Sequence, residues 1–352
     1  MKMSVYCRRL LLLPLLLSLG LPGPARSEVY ELPPEGHDVI GSVTTVTARA
    51  EDTLLDLARR HGLGYEDIVR ANPGVDAWLP GEGTAVLLPT RFVLPPAPRR
   101  GIVLNLAEYR MYYYPTPRDG EPAVVMTYPM SIGRMDWETP LGRARVVAKS
   151  RNPTWYPPDS VRQEHAADGR TLPRAVPPGP DNPLGAFAMR LNLPAYLIHG
   201  TNRPAGVGMR VTHGCIRMFP EDIEYLFEQV PVETQVMIIN EPIKMGWDDE
   251  ELVLEVHRTL DAAPIATEEA GDGVVVDVPA TDSEPPATNE LQIEPPIRAR
   301  LTALTVQFVA TTSNRAGELD WDFAETLLER ADGIPAGVGR SIKNAATSAA
   351  FE

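Results

Sequence analysis

Between Gly101 and about Asn240 the chain is a succession of short apolar runs broken by turn residues: GIVLNLA, YRMYYYP, AVVMTYPM, GRARVVAK, AFAMRL, YLIHG and TQVMIIN. These runs are rich in Val, Ile, Tyr and Met, and each is too short for an ordinary helix, so they predict strands. One segment breaks the rule. PEDIEYLFEQV predicts a helix opening at Pro220, with Glu221 and Asp222 in the first turn, where the helix dipole favours acids. The stretch is therefore a mainly β domain, bounded at 99–241 and, at about 140 residues, long enough for its own core. Inside it, NPTWYPPDS and VPPGPDNPLG make residues 152–185 a long Pro- and Gly-rich loop. Loops of that length in a compact domain are usually functional or mobile.

Length then asks for more than one unit, because 352 residues exceed a single domain of ordinary size. Residues 42–90 predict a small βααβ module. In it, TTVTA and AVLLP flank a helix over LLDLARRH and a second over YEDIVRAN. Asp52 and Thr53 are placed to cap the first helix, Gly62 to stop it, and Pro73 closes the second. Leu54, Leu57 and Ala58 share one face at helical spacing. Pro95, Pro96 and Pro98 mark the linker that follows. Past residue 241, the expectation is a helix at 248–261, then a flexible acidic, Pro-rich tether at 263–297 with few aromatics. A C-terminal helical extension at 298–352 completes the chain, its two helices built on LTALTVQFV and DWDFAETLLERA.

The first 25 residues set the compartment. Lys2, Arg8 and Arg9 precede an apolar run from Leu10 to Leu21, and Gly23 and Ala25 follow at −3 and −1 of a cleavage site. The run is shorter than the ~20 apolar residues needed to span a bilayer, and Pro14 interrupts it. The pattern predicts a secretory signal peptide, with no transmembrane segment once it is removed. Export through a Gram-negative envelope to the periplasm is the expected localisation. Of the two cysteines, Cys7 lies in the signal and leaves with it. Cys215 is then a lone thiol in an exported chain, which is either an inert core residue or a reactive group. The net charge of −14 argues against a nucleic-acid partner.

The neighbours of Cys215 favour reactivity. YLIHGTNRPAGVGMRVTHGCIRMFPEDI places two of the six histidines beside it, among several glycines. A thiol needs a base or an electropositive setting to become the nucleophilic thiolate. His199 ends a predicted strand sixteen residues before Cys215, and Gly200, Gly206 and Gly208 permit a tight return. His213 lies two residues before Cys215 and points the same way if that segment is extended. Gly214 carries no side chain to block a substrate carbonyl, and the Gly214 and Cys215 amides are placed to face a developing oxyanion. One such donor contributes about 3 kcal/mol to the transition state. Arg217 is suited to a bidentate grip on a substrate carboxylate. The alternatives are a Cys/His/His zinc set and a purely structural cluster. The zinc reading lacks a supporting carboxylate nearby in sequence, and three reactive side chains among glycines fill a core poorly.

His199 followed by Thr212, His213, Gly214, Cys215, Ile216 and Arg217 resembles the hallmark of the L,D-transpeptidase catalytic domain, also called YkuD-like. That hallmark is a His, a glycine-bearing spacer, then Ser/Thr-His-Gly-Cys, a small apolar residue and Arg or Asn. VLNLAEYRMYYYP, SIGRMDWETPLG, NPTWYPP, GPDNPLG and IHGTNRPAGVGMRV also look like family blocks, so the resemblance covers about 100–247. It implies a β-sandwich-like fold and no metal or organic cofactor. It also implies a mechanism in which Cys215 attacks the diamino acid–D-Ala bond of a peptidoglycan tetrapeptide stem. His199 then serves as base, His213 supports it, and Tyr196, Gly200, Thr212 and Arg217 contact the substrate. Its thioester intermediate implies susceptibility to carbapenem-type β-lactams. The acceptor stays open: a second stem amine giving a 3→3 cross-link, a lipoprotein lysine, a free D-amino acid, or water. EDTLLDLARRHGL, DIVRANP and WLPGEGTAVLLP resemble a LysM module, which implies glycan binding. A non-catalytic wall-binding protein is the rival class. Papain-like peptidases place Cys before His, and sortases space the two much further apart.

Overall fold

The structure, a computed structural model, describes residues 28–134, 139–260 and 297–342. The signal segment, most of the 263–297 tether, Met135 to Glu138 of the SIGRMDWETPLG block and the last ten residues lie outside them. No described helix is long and apolar enough to cross a membrane.

A short strand β1 (Val29–Glu31) leads into β2 (Val39–Thr47), α1 (Leu54–Arg60), α2 (Tyr65–Ala71) and β3 (Ala85–Val93). β2 and β3 pair antiparallel along their whole lengths, from Val39↔Val93 to Thr47↔Ala85. The result is a βααβ unit whose strands outrun the expected 42–90 at both ends. Thr53 caps α1 through a reciprocal capping box with Asp56. Asp52 does not cap it; its carboxylate accepts from the Arg49 amide and from Arg60.

The central domain continues with β4 (Gly101–Asn105), β5 (Arg110–Tyr114), β6 (Val124–Pro129), β7 (Ile132–Gly133), β8 (Gly142–Arg151), α3 (Asp159–Ala167), β9 (Phe187–Leu191) and β10 (Leu197–His199). It closes with β11 (Arg210–Thr212), β12 (Ile216–Arg217), α4 (Pro220–Gln229) and β13 (Gln235–Ile239). Nine strands form one sheet in the order β1-β6-β5-β4-β13-β8-β9-β10-β12. The first part of β8 pairs with β13 and its second part with β9, and the register shifts between Val146 and Ala148. The strand thus turns a corner at a bulge. The two layers of the expected β-sandwich-like fold are therefore two ends of one curled sheet. They close on a core that includes Ile102, Met111 and Tyr128 from one end, Met189, Ile198 and Ile216 from the other, and Leu226 of α4.

The runs read as near-continuous hydrophobics because both faces of this sheet are covered. In β4, Ile102 and Leu104 face the inner core, while Val103 between them faces outward. In β5, Met111 and Tyr113 go in, and Tyr112 and Tyr114 go out. The outward set packs against Leu54, Leu57, Ile68 and Leu88 of the βααβ unit. That unit shares a core with the sheet instead of hanging from the Pro95–Pro98 linker.

The helix expected at 248–261 is not formed. β14 (Ile243–Asp248) and β15 (Glu251–Val256) make an antiparallel hairpin there. Across the tether come α5 (Ile297–Thr312), β16 (Gly317–Leu319), α6 (Trp321–Arg330) and β17 (Ala336–Ser341), and the sheet order is β14-β15-β17-β16. β15 is a central strand, with Leu252 to Val256 almost fully buried. Burial on both faces erases the alternation that separates a strand from a buried helix. The two helices expected at 298–352 form as α5 and α6, but with β16 and β17 they make the second half of a small α+β domain, whose core includes Trp247, Leu254, Leu304 and Leu328.

Candidate active site

β10 and β12 lie side by side and parallel, with Ile198 opposite Ile216 and His199 opposite Arg217. Both isoleucines are fully buried, each contributing about 2 kcal/mol of apolar burial. They lock the register. By the two-residue period of a strand, His199 and Arg217 leave on the opposite face. The Met218 amide bonds the His199 carbonyl at 2.9 Å, and the Ser131 backbone exchanges two bonds with Arg217. Glycine allows the return loop: Gly208 sits at φ +88, and a Cβ there would meet the Gly64 backbone at 2.4 Å. The expected contribution of Gly200 is steric too, since a Cβ on it would lie 3.1 Å from Ile223 and 3.4 Å from the Leu184 carbonyl.

The segment before the thiol is not extended. Gly214 has φ +94, a left-handed turn. Its carbonyl accepts from the Thr139 hydroxyl at 3.0 Å, and the Cys215 carbonyl accepts from the Thr212 hydroxyl at 2.6 Å. With both carbonyls held, the Gly214 and Cys215 amides have no hydrogen-bond partner among the described residues. The condition on which His213 and Cys215 would point the same way, an extended segment, is therefore not met, and their side chains take different partners, Glu164 and the Ala195 carbonyl.

The Cys215 thiol donates to the Ala195 carbonyl at 3.4 Å. Ala195 presents that oxygen from a left-handed conformation, φ +67, which costs a non-glycine residue about 1 kcal/mol. Burial pushes the thiol pKa up, and the Leu197 amide and Arg217 only partly offset this. His199 is buried, with Nδ1 2.6 Å from the Gly200 carbonyl. A carbonyl only accepts, so Nδ1–H donates there, and the Leu184 carbonyl is a second backbone acceptor for the ring. Burial, helped by Arg217, depresses the His199 pKa to about 3. The resting pair is thus a neutral thiol and a neutral imidazole. Burial and the thiolate charge of Cys215 both raise Tyr196. Arg217 is pulled down to about 10 by burial and by Arg203, and its Nε finds no partner among the described residues.

His213 takes a partner that local sequence does not show. Its Nε2–H donates to Glu164 Oε2 at 2.9 Å. Glu164 lies on α3, within the Pro-rich loop, and also binds Arg134. This carboxylate partner lies 49 residues upstream in the chain. The loop's length was the only signal for it. Among the described residues, the one trio with metal-like reach is elsewhere: Glu108, Glu255 and His257. Lys244 Nζ stands among these, 2.6 Å from Glu108 and 2.9 Å from Glu255, so the trio reads as an ion network.

The model of the YkuD family, the L,D-transpeptidase catalytic domain, matches residues 99–238. The probable L,D-transpeptidase ErfK/SrfK of Salmonella typhimurium strain LT2 is 42% identical over 235 residues, covering 66% of this chain and 74% of that one. The probable L,D-transpeptidase YbiS of Escherichia coli K12 is 39% identical over 256 residues, covering 72% and 80%. The probable L,D-transpeptidase YcfS of the same strain is 40% identical over 249 residues, covering 69% and 77%.

Proposed function

The chain belongs to the L,D-transpeptidase family, and from that premise we propose that it is a peptidoglycan L,D-transpeptidase with Cys215 as nucleophile. The observation that carries this is the β10–β12 register, which sets His199 against Arg217 with Cys215 at the strand's entrance. In the proposed cycle, Sγ attacks the carbonyl of the diamino acid at position three of a tetrapeptide stem. His199 takes the thiol proton as the C–S bond forms, and the Gly214 and Cys215 amides receive the oxyanion. The C–N bond then breaks, the proton passes from His199 to the departing amine, and D-Ala leaves. An acceptor amine attacks the thioester, a new amide forms, and a proton returns to the thiolate. A neutral imidazole base and a neutral thiol fit proton transfer concerted with attack. His213 supports the exchange. Arg217, Thr212, Tyr196 and Gly200 line the substrate side, with Arg217 charged and available for a carboxylate.

The acceptor is a stem amine, giving a 3→3 cross-link, or a lipoprotein lysine. The βααβ unit acts as a LysM-like module that holds glycan, and the chain works in the periplasm after loss of residues 1–25. A Cys215→Ala variant tests the reading on purified tetrapeptide muropeptides. The expected result is D-Ala release by the wild type and none by the variant; equal release by both overturns the mechanism. Muropeptide mass spectrometry on cells lacking the protein identifies the acceptor, through loss of 3→3 dimers or of protein-linked stems.

A further inference from the structure

We infer that Glu164 is a positioning residue for His213, so that the Pro-rich loop carrying α3 is a working part of the catalytic apparatus. The inference rests on the proposed transpeptidase reading for its catalytic consequence and on geometry for its substance. Two separate segments converge on the His213 imidazole. Glu164 arrives from α3 and accepts the Nε2–H of His213 at 2.9 Å. Arg134 arrives from the end of β7, where its amide bonds the Thr212 carbonyl at 2.8 Å. Its guanidinium pairs with Glu164 and lies 3.5 Å from the same His213 nitrogen. Parallel pairing of β7 with β11 holds Arg134 beside the motif.

A carboxylate on Nε2 has two consequences. It fixes the tautomer, because a carboxylate accepts only, so a neutral His213 keeps its lone pair on Nδ1. It also stabilises the imidazolium. Among the described residues, the charged groups acting on His213 include Glu164 and His165 from α3 and Arg134 from the β7 end. Burial is the largest influence and lowers the His213 pKa; Glu164 raises it, and Arg134 and His165 lower it. Glu164 itself stays ionised, because Arg134 and His213 outweigh its burial. Its side chain remains a quarter exposed, so a Gln there leaves no dry cavity.

The two neighbours make opposite predictions, which a merely structural role does not. In the full-length protein with isotope-labelled histidine, the His213 NMR titration is followed for wild type, Glu164→Gln and Arg134→Gln. Glu164→Gln is expected to lower the His213 midpoint, and Arg134→Gln to raise it. Asp159→Asn, an exposed change on the same helix, leaves it unmoved. On a soluble tetrapeptide muropeptide, Glu164→Gln is expected to lower kcat roughly tenfold with KM within about twofold. The limb of its pH profile that reports His213 moves to lower pH. Unmoved midpoints in both variants, or shifts of the same sign, overturn the inference. So does a change in KM alone. A wild type that releases no D-Ala counts against the transpeptidase reading, while the titration still decides the role of Glu164.

Discussion

The two residues proposed to carry the chemistry, Cys215 and His199, both rest uncharged. A thiol whose pKa is raised and an imidazole held near 3 are the reverse of a preformed thiolate and imidazolium. The sign follows directly. Raising the thiol pKa leaves less thiolate at neutral pH, so alkylation of Cys215 by iodoacetamide is slow there. Its rate is expected to climb with pH through and beyond the ordinary thiol value of about 8.5. A rate that plateaus below pH 7 contradicts this. At this scale the motif was legible, because His199 to Arg217 is one local stretch whose residue types announce their chemistry. The groups that complete it were not. Thr139, Ala195, Arg134 and Glu164 reach the site only through long-range folding, and a Thr or Glu in a loop carries no mark of its eventual partner.

Among elements, the contact that matters most joins α2 to the loop between β10 and β11. The Tyr65 amide bonds the Val207 carbonyl at 3.0 Å, and Gly64 and Gly208 touch backbone to backbone. Arg59 of α1 adds a two-pronged pair with Glu221 of α4, at 2.6 and 2.7 Å. Gly208 is expected to tolerate no side chain, because it combines a left-handed φ with this approach. Gly208→Ala should lower stability by about 1–3 kcal/mol in denaturant titrations and lower D-Ala release with it. Wild-type stability in that variant contradicts the clasp. The helical period of Leu54, Leu57 and Ala58 made α1 readable. The docking of the unit was not readable, because the prolines at 95–98 signalled a hinge whatever lay on either side. The 248–261 segment failed for a different reason: a fully buried strand and a buried helix carry the same apolar run.

At the scale of the molecule, three units meet at Lys244. Its ammonium bonds the Val93 carbonyl at 2.8 Å and pairs with Glu108 and Glu255. Glu255 also accepts from the Val93 amide and from His257, both at 2.6 Å. Burial alone would raise Glu255, but Lys244 and His257 bring it to about 2. Glu108 is raised, because its burial outweighs the attraction of Lys244. Removing the cation strands two buried carboxylates, so Lys244→Met is expected to cost about 3–5 kcal/mol of stability. A denaturation midpoint equal to wild type contradicts the knot. The central claim concerns none of these supports but the bond made at Cys215. Wild-type enzyme mixed with a tetrapeptide muropeptide and quenched in acid should carry, by mass spectrometry, an adduct equal to the substrate less D-Ala on the peptide containing Cys215. D-Ala release with no adduct there, undiminished in Cys215→Ala, contradicts the account.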